Sequence, residues 1–317
     1  MPAAPGFRLA CLATMLVLGA RGAWATPMPT AIAEPQQTTP TLTSAPTTTA
    51  IAPEVPPAAS LPCFAGAYYR KAVTSTDHWV GMEGVVRLPR PSYDESRRKP
   101  ATGKMLDNAS VYMGGLAGEQ EVDAGLTWEV IREADGKVST ERKAFRPFWR
   151  AKKWSNAPAK ADYYYFPGDL VRMKVDTRKT GTLTLEIEVL ERAESSRPLL
   201  IALNAAEHPT IFTVTFDVEP FGPGNLQQFK RVNAIDQVGN EGKGVIPTTT
   251  TVRGSEWHEV WLLRADGRRL PMAPERYTDM RCPDATHIVV EPTINSDRGG
   301  ERVDILGTLP PTPTPGT

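Results

Sequence analysis

The nine residues Thr182 to Leu190, TLTLEIEVL, alternate apolar and polar side chains with a period of two. Leu183, Leu185, Ile187 and Val189 would lie on one side and Thr184, Glu186 and Glu188 on the other, the signature of a strand with one buried and one wet face. A helix would scatter the same residues around its circumference. LVRMKVD (Leu170 to Asp176) and FTVTFDV (Phe212 to Val218) repeat the pattern, with Val171, Met173 and Val175, and Phe212, Val214, Phe216 and Val218, expected inward. Further strands are expected around Val85 to Leu88, Val111 to Met113, Leu126 to Ile131, Thr248 to Val252, Trp257 to Leu263 and His287 to Val290. Turn chemistry separates these runs at Asp135-Gly136, Pro167-Gly168-Asp169, Thr180-Gly181, Gly222-Pro223-Gly224 and Asp266-Gly267. No stretch sustains a 3.6-residue period with caps. Short strands and recurrent turns with almost no helix predict an all-β fold, an antiparallel β-sandwich of concanavalin-like or jelly-roll type with two packed sheets.

The ends differ from the middle. MPAAPGFRLACLATMLVLGARGAWATP places Arg8 before a short apolar run that ends at Ala23-Trp24-Ala25, which predicts a signal peptide cleaved after Ala25 and a secreted or extracytoplasmic protein. The run falls short of the ~20 apolar residues of a membrane span. Residues 26–60 are rich in Thr, Pro and Ala, a composition too poor in apolar surface to pack, so a disordered linker is expected there and a similar tail at 308–317. The folded domain is expected at 61–307, as a monomer.

The 36 basic and 36 acidic residues cancel, so no overall field favours nucleic acid or an acidic membrane as partner. Past the signal peptide two cysteines remain, Cys63 and Cys282, and export predicts that they pair. The four histidines show no metal-ligand spacing, and no phosphate loop, dinucleotide fingerprint or Gly-x-Ser-x-Gly elbow occurs, so neither metal nor cofactor is expected. Asp236, Asn240 and Glu241 could form a Ca²⁺ loop or serve as ordinary loop polarity. Asn108-Ala109-Ser110 is a glycosylation sequon for a host that glycosylates.

The order of several segments resembles that of the glutamic peptidases, or eqolisins. FAGAY (Phe64 to Tyr68), VVRLP (Val85 to Pro89), VYMGG (Val111 to Gly115), VDAGLTW (Val122 to Trp128), AFRPFWR (Ala144 to Arg150), PGDLVRMKV (Pro167 to Val175) and KRVNA (Lys230 to Ala234) follow that family's sequence of aromatic and Gly-rich segments. The resemblance implies a sandwich of two large antiparallel sheets. It places Asp123 where the family carries its catalytic Gln and Asn233 where it carries its catalytic Glu, with Phe64 and Tyr112 in the places of two tryptophans and Pro147 in that of a Glu. A carboxylate acting on a water shared with an amide is the family's chemistry. Two expectations follow: an exchanged Asp123/Asn233 dyad in an active endopeptidase, or a sandwich that no longer cuts peptides.

FRPFWRAKKW, Phe145 to Trp154, crowds four aromatic rings and four basic groups together without an acid. On a strand, Phe145, Pro147 and Trp149 share one face and Arg146, Phe148 and Arg150 the other. One reading is an aromatic cleft in which Phe64, Tyr112, Phe145, Trp149 and Arg150 bind an extended peptide or glycan; the other is core aromatics beside a charged edge. A lectin-like carbohydrate-binding sandwich is a third expectation. Trp257 and Trp261, also at period two, are expected in the core.

Overall fold

Residues 54–207, 209 and 211–308 are described by a computed structural model. The expected signal peptide, residues 26–53 of the expected linker and tail residues 309–317 lie outside the described residues. In chain order the strands are β1 Ala67–Thr74, β2 Trp79–Arg87, β3 Arg90–Ser92, β4 Asp107–Ala117, β5 Gln120–Arg132, β6 Val138–Arg150, β7 Trp154–Asn156 and β8 Leu170–Asp176. They continue with β9 Thr182–Glu191, β10 Phe212–Asp217, β11 Gln228–Gln237, β12 Thr251–Arg264, β13 Arg269–Pro271, β14 Tyr277–Cys282, β15 Ile288–Pro292 and β16 Glu301–Leu306.

Cross-strand chemistry fixes the register where alternation had announced it. In the β8–β9 ladder Arg172 faces Glu188 and Lys174 faces Glu186, giving ion pairs of 2.6 and 3.6 Å on the wet side. On the other side Val171, Met173, Val175, Leu183, Leu185 and Ile187 are fully buried. A slip of one residue would exchange the two sets, so burial itself pins the pairing.

Seven strands form one sheet in the order β14-β1-β11-β4-β5-β6-β7. The second sheet runs β10-β9-β8-β2-β12-β16-β15, with β3 and β13 also paired to β12. All these ladders are antiparallel. Apolar residues of both sheets, among them Val111, Met113, Met82, Val86 and Trp257, form a common core, so the fold is the expected β-sandwich. Among the described residues the α-helix, α1, covers Arg197–Leu203, carries Pro198 in its first turn and stops at Asn204 in the left-handed conformation.

The disulfide joins Cys63, before β1, to Cys282, at the end of β14, across 219 positions. Closing so long a loop restricts the unfolded chain by ~5 kcal/mol in the chain-entropy account.

Two expectations need correction. Trp257 is core, but Trp261 is not: the β12–β2 register shifts between Trp257 and Glu259, so His258 is an extra residue that reverses the phase. Trp261 therefore emerges on the outer face beneath the Arg269 guanidinium. The folded domain also begins before residue 61. Glu54 lies 3.0 Å from Arg276, and the Ala58 carbonyl accepts a hydrogen bond from Thr278 of β14 at 2.5 Å. A Thr/Pro-rich segment lacks the apolar surface to form its own core, yet its carbonyls can still be satisfied along an existing sheet edge.

Two buried polar assemblies join distant parts of the chain. Between the sheets, Glu301 of β16 receives Arg70 of β1 at 3.0 Å and Arg231 of β11 at 2.8 Å, while Arg70 also reaches Asp279 at 3.1 Å. At the β8 entry, the fully buried Asp169 accepts from the Phe166 and Ala193 amides and the Ser196 hydroxyl, each at 2.9 Å, and from Arg192 at 2.7 Å.

Candidate functional site: a cleft on the outer face of the seven-stranded sheet

The face of the seven-stranded sheet turned away from the second sheet carries a cleft of about 790 Å³. Strand register sorts its residues into rows that cross the strands. The first row runs Lys230, Gly114, Asp123, Arg150. The second runs Lys71, Val232, Tyr112, Gly125, Phe148, and the third Tyr69, Ala234, Ser110, Thr127, Arg146. Ala67, Asp236 and Asn108 make the fourth.

Glycine shapes the middle of this floor. A Cβ at Gly125 would stand 2.5 Å from the Tyr112 Cα, so only glycine lets the tyrosine lie there. At Gly114 a Cβ would stand 2.0 Å from the Val122 carbonyl oxygen, and the missing side chain lets Asp123 and Lys230 meet across β4.

That meeting decides the chemistry of Asp123. Lys230 Nζ lies 2.7 Å from one carboxylate oxygen, and Arg150 Nε donates to the other at 2.8 Å. Burial pushes the carboxyl up, but the Lys230 and Arg150 charges outweigh it and hold the group below its usual range. Glu121 adds a second contact to Lys230, at 2.5 Å. A carboxylate neutralised in this way is a poor proton acceptor.

Asn233 faces the opposite way. Its amide donates to the Ser255 hydroxyl at 2.6 Å, and its oxygen accepts from the Trp257 indole at 2.8 Å, both partners belonging to the second sheet. On β11 the cleft-facing residues are Lys230, Val232, Ala234 and Asp236, and Asn233 is one position out of phase. The expected Asp123/Asn233 dyad on a shared water is therefore not formed, because the sheet itself stands between the two side chains.

The same parity corrects two of the expected ligand contacts. Phe145 is fully buried, packed edge-on against Trp128 at 4.9 Å, and Trp149 packs toward Phe212 and Phe216 of the second sheet. The alternate face of FRPFWR, with Phe148 and Arg150, lines the cleft. Phe64, Tyr112 and Arg150 do line the cleft. Lys71, Phe148, Trp154, Lys230 and Asp236 join them, and sequence reasoning had not gathered them. Their shared phase on β1, β6, β7 and β11 was a usable signal once the strand pairing was known.

Two ring stacks flank the cleft. Trp154 stacks on Phe148 at 4.4 Å, and Tyr112 meets Phe148 edge-on at 5.6 Å. Across the sheet Phe64 stacks on Tyr69 at 4.2 Å. Trp154 keeps 49% of its surface exposed and Phe64 45%, so each presents a free ring face.

Asp236 is the carboxyl of the cleft displaced toward its neutral form. Protein atoms crowd its carboxylate while leaving it a partial opening onto the cleft, and burial pushes its pKa up to about 6 against the opposing hydrogen bond from Ser110 at 2.6 Å. A carboxyl raised on folding adds stability below its unfolded pKa and loses that contribution as pH rises through 6. By linkage the ionised form costs ~3 kcal/mol, reduced to ~2 kcal/mol by the opening to solvent. Asp236→Asn is expected to raise unfolding stability by ~2 kcal/mol at pH 7.5 and to leave it unchanged near pH 4, read from urea denaturation at both pH values. Equal effects at both would contradict a raised carboxyl.

The Asp236, Asn240 and Glu241 side chains do not converge. Asn240 donates to Gln237 and to the Gly244 carbonyl, and Glu241 accepts from the Gly239 amide. The Asn108 amide of the sequon is held inside the sheet face by Thr127, at 2.6 Å. Among the described residues no helix is long and apolar enough to cross a membrane.

No protein-family model matches the chain, and no curated protein matches it. Among solved structures it is similar in fold to the glutamic peptidases. Two structures of scytalido-glutamic peptidase with transition-state analogues align at TM-scores of 0.45 and 0.46, with 9% identity over 76% of this chain and 98% of theirs. SCP-B, a member of the eqolisin family in complex with the tripeptide Ala-Ile-His, aligns at 0.42 with 10% identity and the same coverage. Likenesses of this size assign no role to any residue.

Proposed function

We propose that the chain is an exported β-sandwich protein whose cleft binds an extended polypeptide without cutting it. The observation that carries this reading is the pair of aromatic stacks, Phe64 on Tyr69 and Trp154 on Phe148, that open a ring face at each side of one cleft. Between them lie five strand spacings, about 24 Å, which an extended chain spans with about seven residues. Stacked rings lose little entropy on binding because they are already fixed. The absence of catalysis is supported by the ion-paired state of Asp123 and by the burial of Asn233 against Trp257. The leader expected at residues 1–25 and the Cys63–Cys282 bridge support export.

An array of seven-residue peptides, acetylated and amidated, tests the reading alongside a glycan array. Peptide binding weakened about tenfold by Trp154→Ala is expected, equivalent to ~1.4 kcal/mol for one stacked ring. Binding of glycans in place of peptides would favour the lectin-like alternative. Cleavage of a denatured protein between pH 2 and 8, lost in Asp123→Ala, would overturn the non-catalytic reading.

A further inference from the structure

Among the basic groups of the cleft Lys71 stands apart. Lys230 lies against Glu121 and Asp123, Arg150 against the same two acids, and Arg142 donates to the Asp107 carbonyl. Lys71 Nζ has no hydrogen bond and no carboxylate at ion-pair distance among the described residues; it lies over the Phe64 ring, 5.9 Å from the centroid. Register explains why. Across the sheet Lys71 is opposite Val232 on one side and Met280 on the other, and along β1 its same-face neighbours are Tyr69 and Val73. All four belong to one buried apolar cluster. The first acids lie one row away and are already engaged by Lys230.

A lysine there is a cost to the free protein. Its stem can lie on the apolar neighbours, but burial, with the Lys230 charge adding to it, holds its ammonium below the ordinary lysine range. Methionine would fill the same space without that cost. A position that folding alone would give to an apolar side chain, occupied instead by an unpaired cation beside an open ring, is suited to an incoming anion.

We propose that Lys71 receives a carboxylate of the bound polypeptide, so that the cleft selects extended segments in which an acidic residue neighbours an aromatic or apolar one packed on Phe64. This rests on the cleft being a polypeptide site. The Phe64 ring, already held by Tyr69, offers the apolar half of the contact, and the Lys71 ammonium, 5.9 Å from the ring centroid, offers the charged half. Selectivity comes from the free state: a neutral segment leaves the ammonium without a partner, whereas a carboxylate supplies it.

The test uses the full mature chain and an array of acetylated, amidated heptapeptides in which each position carries Glu, Gln or Lys in turn, followed by fluorescence anisotropy of the strongest binder and its Gln counterpart. For the wild type the Glu peptide is expected to bind about tenfold more tightly than the Gln peptide. In Lys71→Met that ratio should fall to about one while Gln-peptide binding persists, and Lys71→Arg should restore it. The melting temperature of Lys71→Met should be unchanged or raised, whereas a residue serving the fold would lower it. A parallel set with free C-terminal carboxylates separates recognition of an acidic side chain from recognition of a chain end. A Glu-to-Gln ratio of one in the wild type, or a ratio that survives Lys71→Met, overturns this inference and leaves peptide binding intact. Failure of every peptide overturns both readings, and tight binding of an oligogalacturonate alone reassigns Lys71 to an anionic glycan.

Discussion

Glu301→Gln is expected to destabilise the domain by ~3–5 kcal/mol, read as a lowered midpoint in urea with an unchanged slope. Glu301 is 4% exposed and is shared by two guanidinium groups that are each 2% exposed, Arg70 and Arg231. Arg70 keeps Asp279 as a second acid, and Glu301 with Asp279 holds its charge in place against burial. Arg231 has no such reserve. Burial pulls its pKa down despite Glu301, and its other neighbours are the rings of Trp257 and Tyr277, at 5.5 and 5.7 Å. Removing one negative charge therefore leaves a desolvated cation that cannot shed its proton. Arg231→Met combined with Glu301→Gln should recover most of the loss, because an uncharged pair of similar volume needs no counter-ion. A loss below ~1 kcal/mol for the single variant would show that water reaches Arg231.

Asp169→Ala is expected to cost ~4–5 kcal/mol by the same measurement. Its carboxylate gathers the Phe166 and Ala193 amides, the Ser196 hydroxyl and the Arg192 guanidinium. The four donors come from the turn before β8 and from the segment that leads into α1, so one side chain holds two connections together. Arg192 retains the Tyr164 carbonyl at 2.9 Å but loses its one acid among the described residues. Asp169→Asn should still cost at least ~3 kcal/mol, since an amide presents one acceptor and an unwanted donor to a site built from donors. A neutral result for Asn would mean that geometry, and not charge, matters there.

Asp169 also marks the boundary of what could be read from sequence. As part of Pro167-Gly168-Asp169 it was legible as a turn, because Gly168 takes positive φ there. Its role as an acceptor for residues more than twenty positions downstream was not, since it depends on where β9 delivers Arg192 and Ala193. FRPFWR behaves likewise. Its alternation was plain, but which parity faced outward depended on the strands paired with β6 and on the sheet packed beneath it. Trp261 was misplaced by a single inserted residue, His258, whose bulge leaves no mark in composition.

The strands and their wet faces were written in the sequence, because a period of two and Asp-Gly or Gly-Asp turns act over a few residues and need no partner to be recognised. So was the sandwich class, since such strands must cover one face. Of the candidate site, Phe64, Tyr112 and Arg150 could be named from sequence, but the tertiary structure decided which groups join them. Asp123, Lys230 and Arg150 become one ion cluster, and Lys71 becomes a cation with no carboxylate at ion-pair distance among the described residues, only when β1, β11, β4, β5 and β6 lie side by side. Register across strands distant in sequence is set by the burial of the whole sheet, and a shift of one residue, as between Asn233 and Ala234, moves a side chain from the core to the cleft.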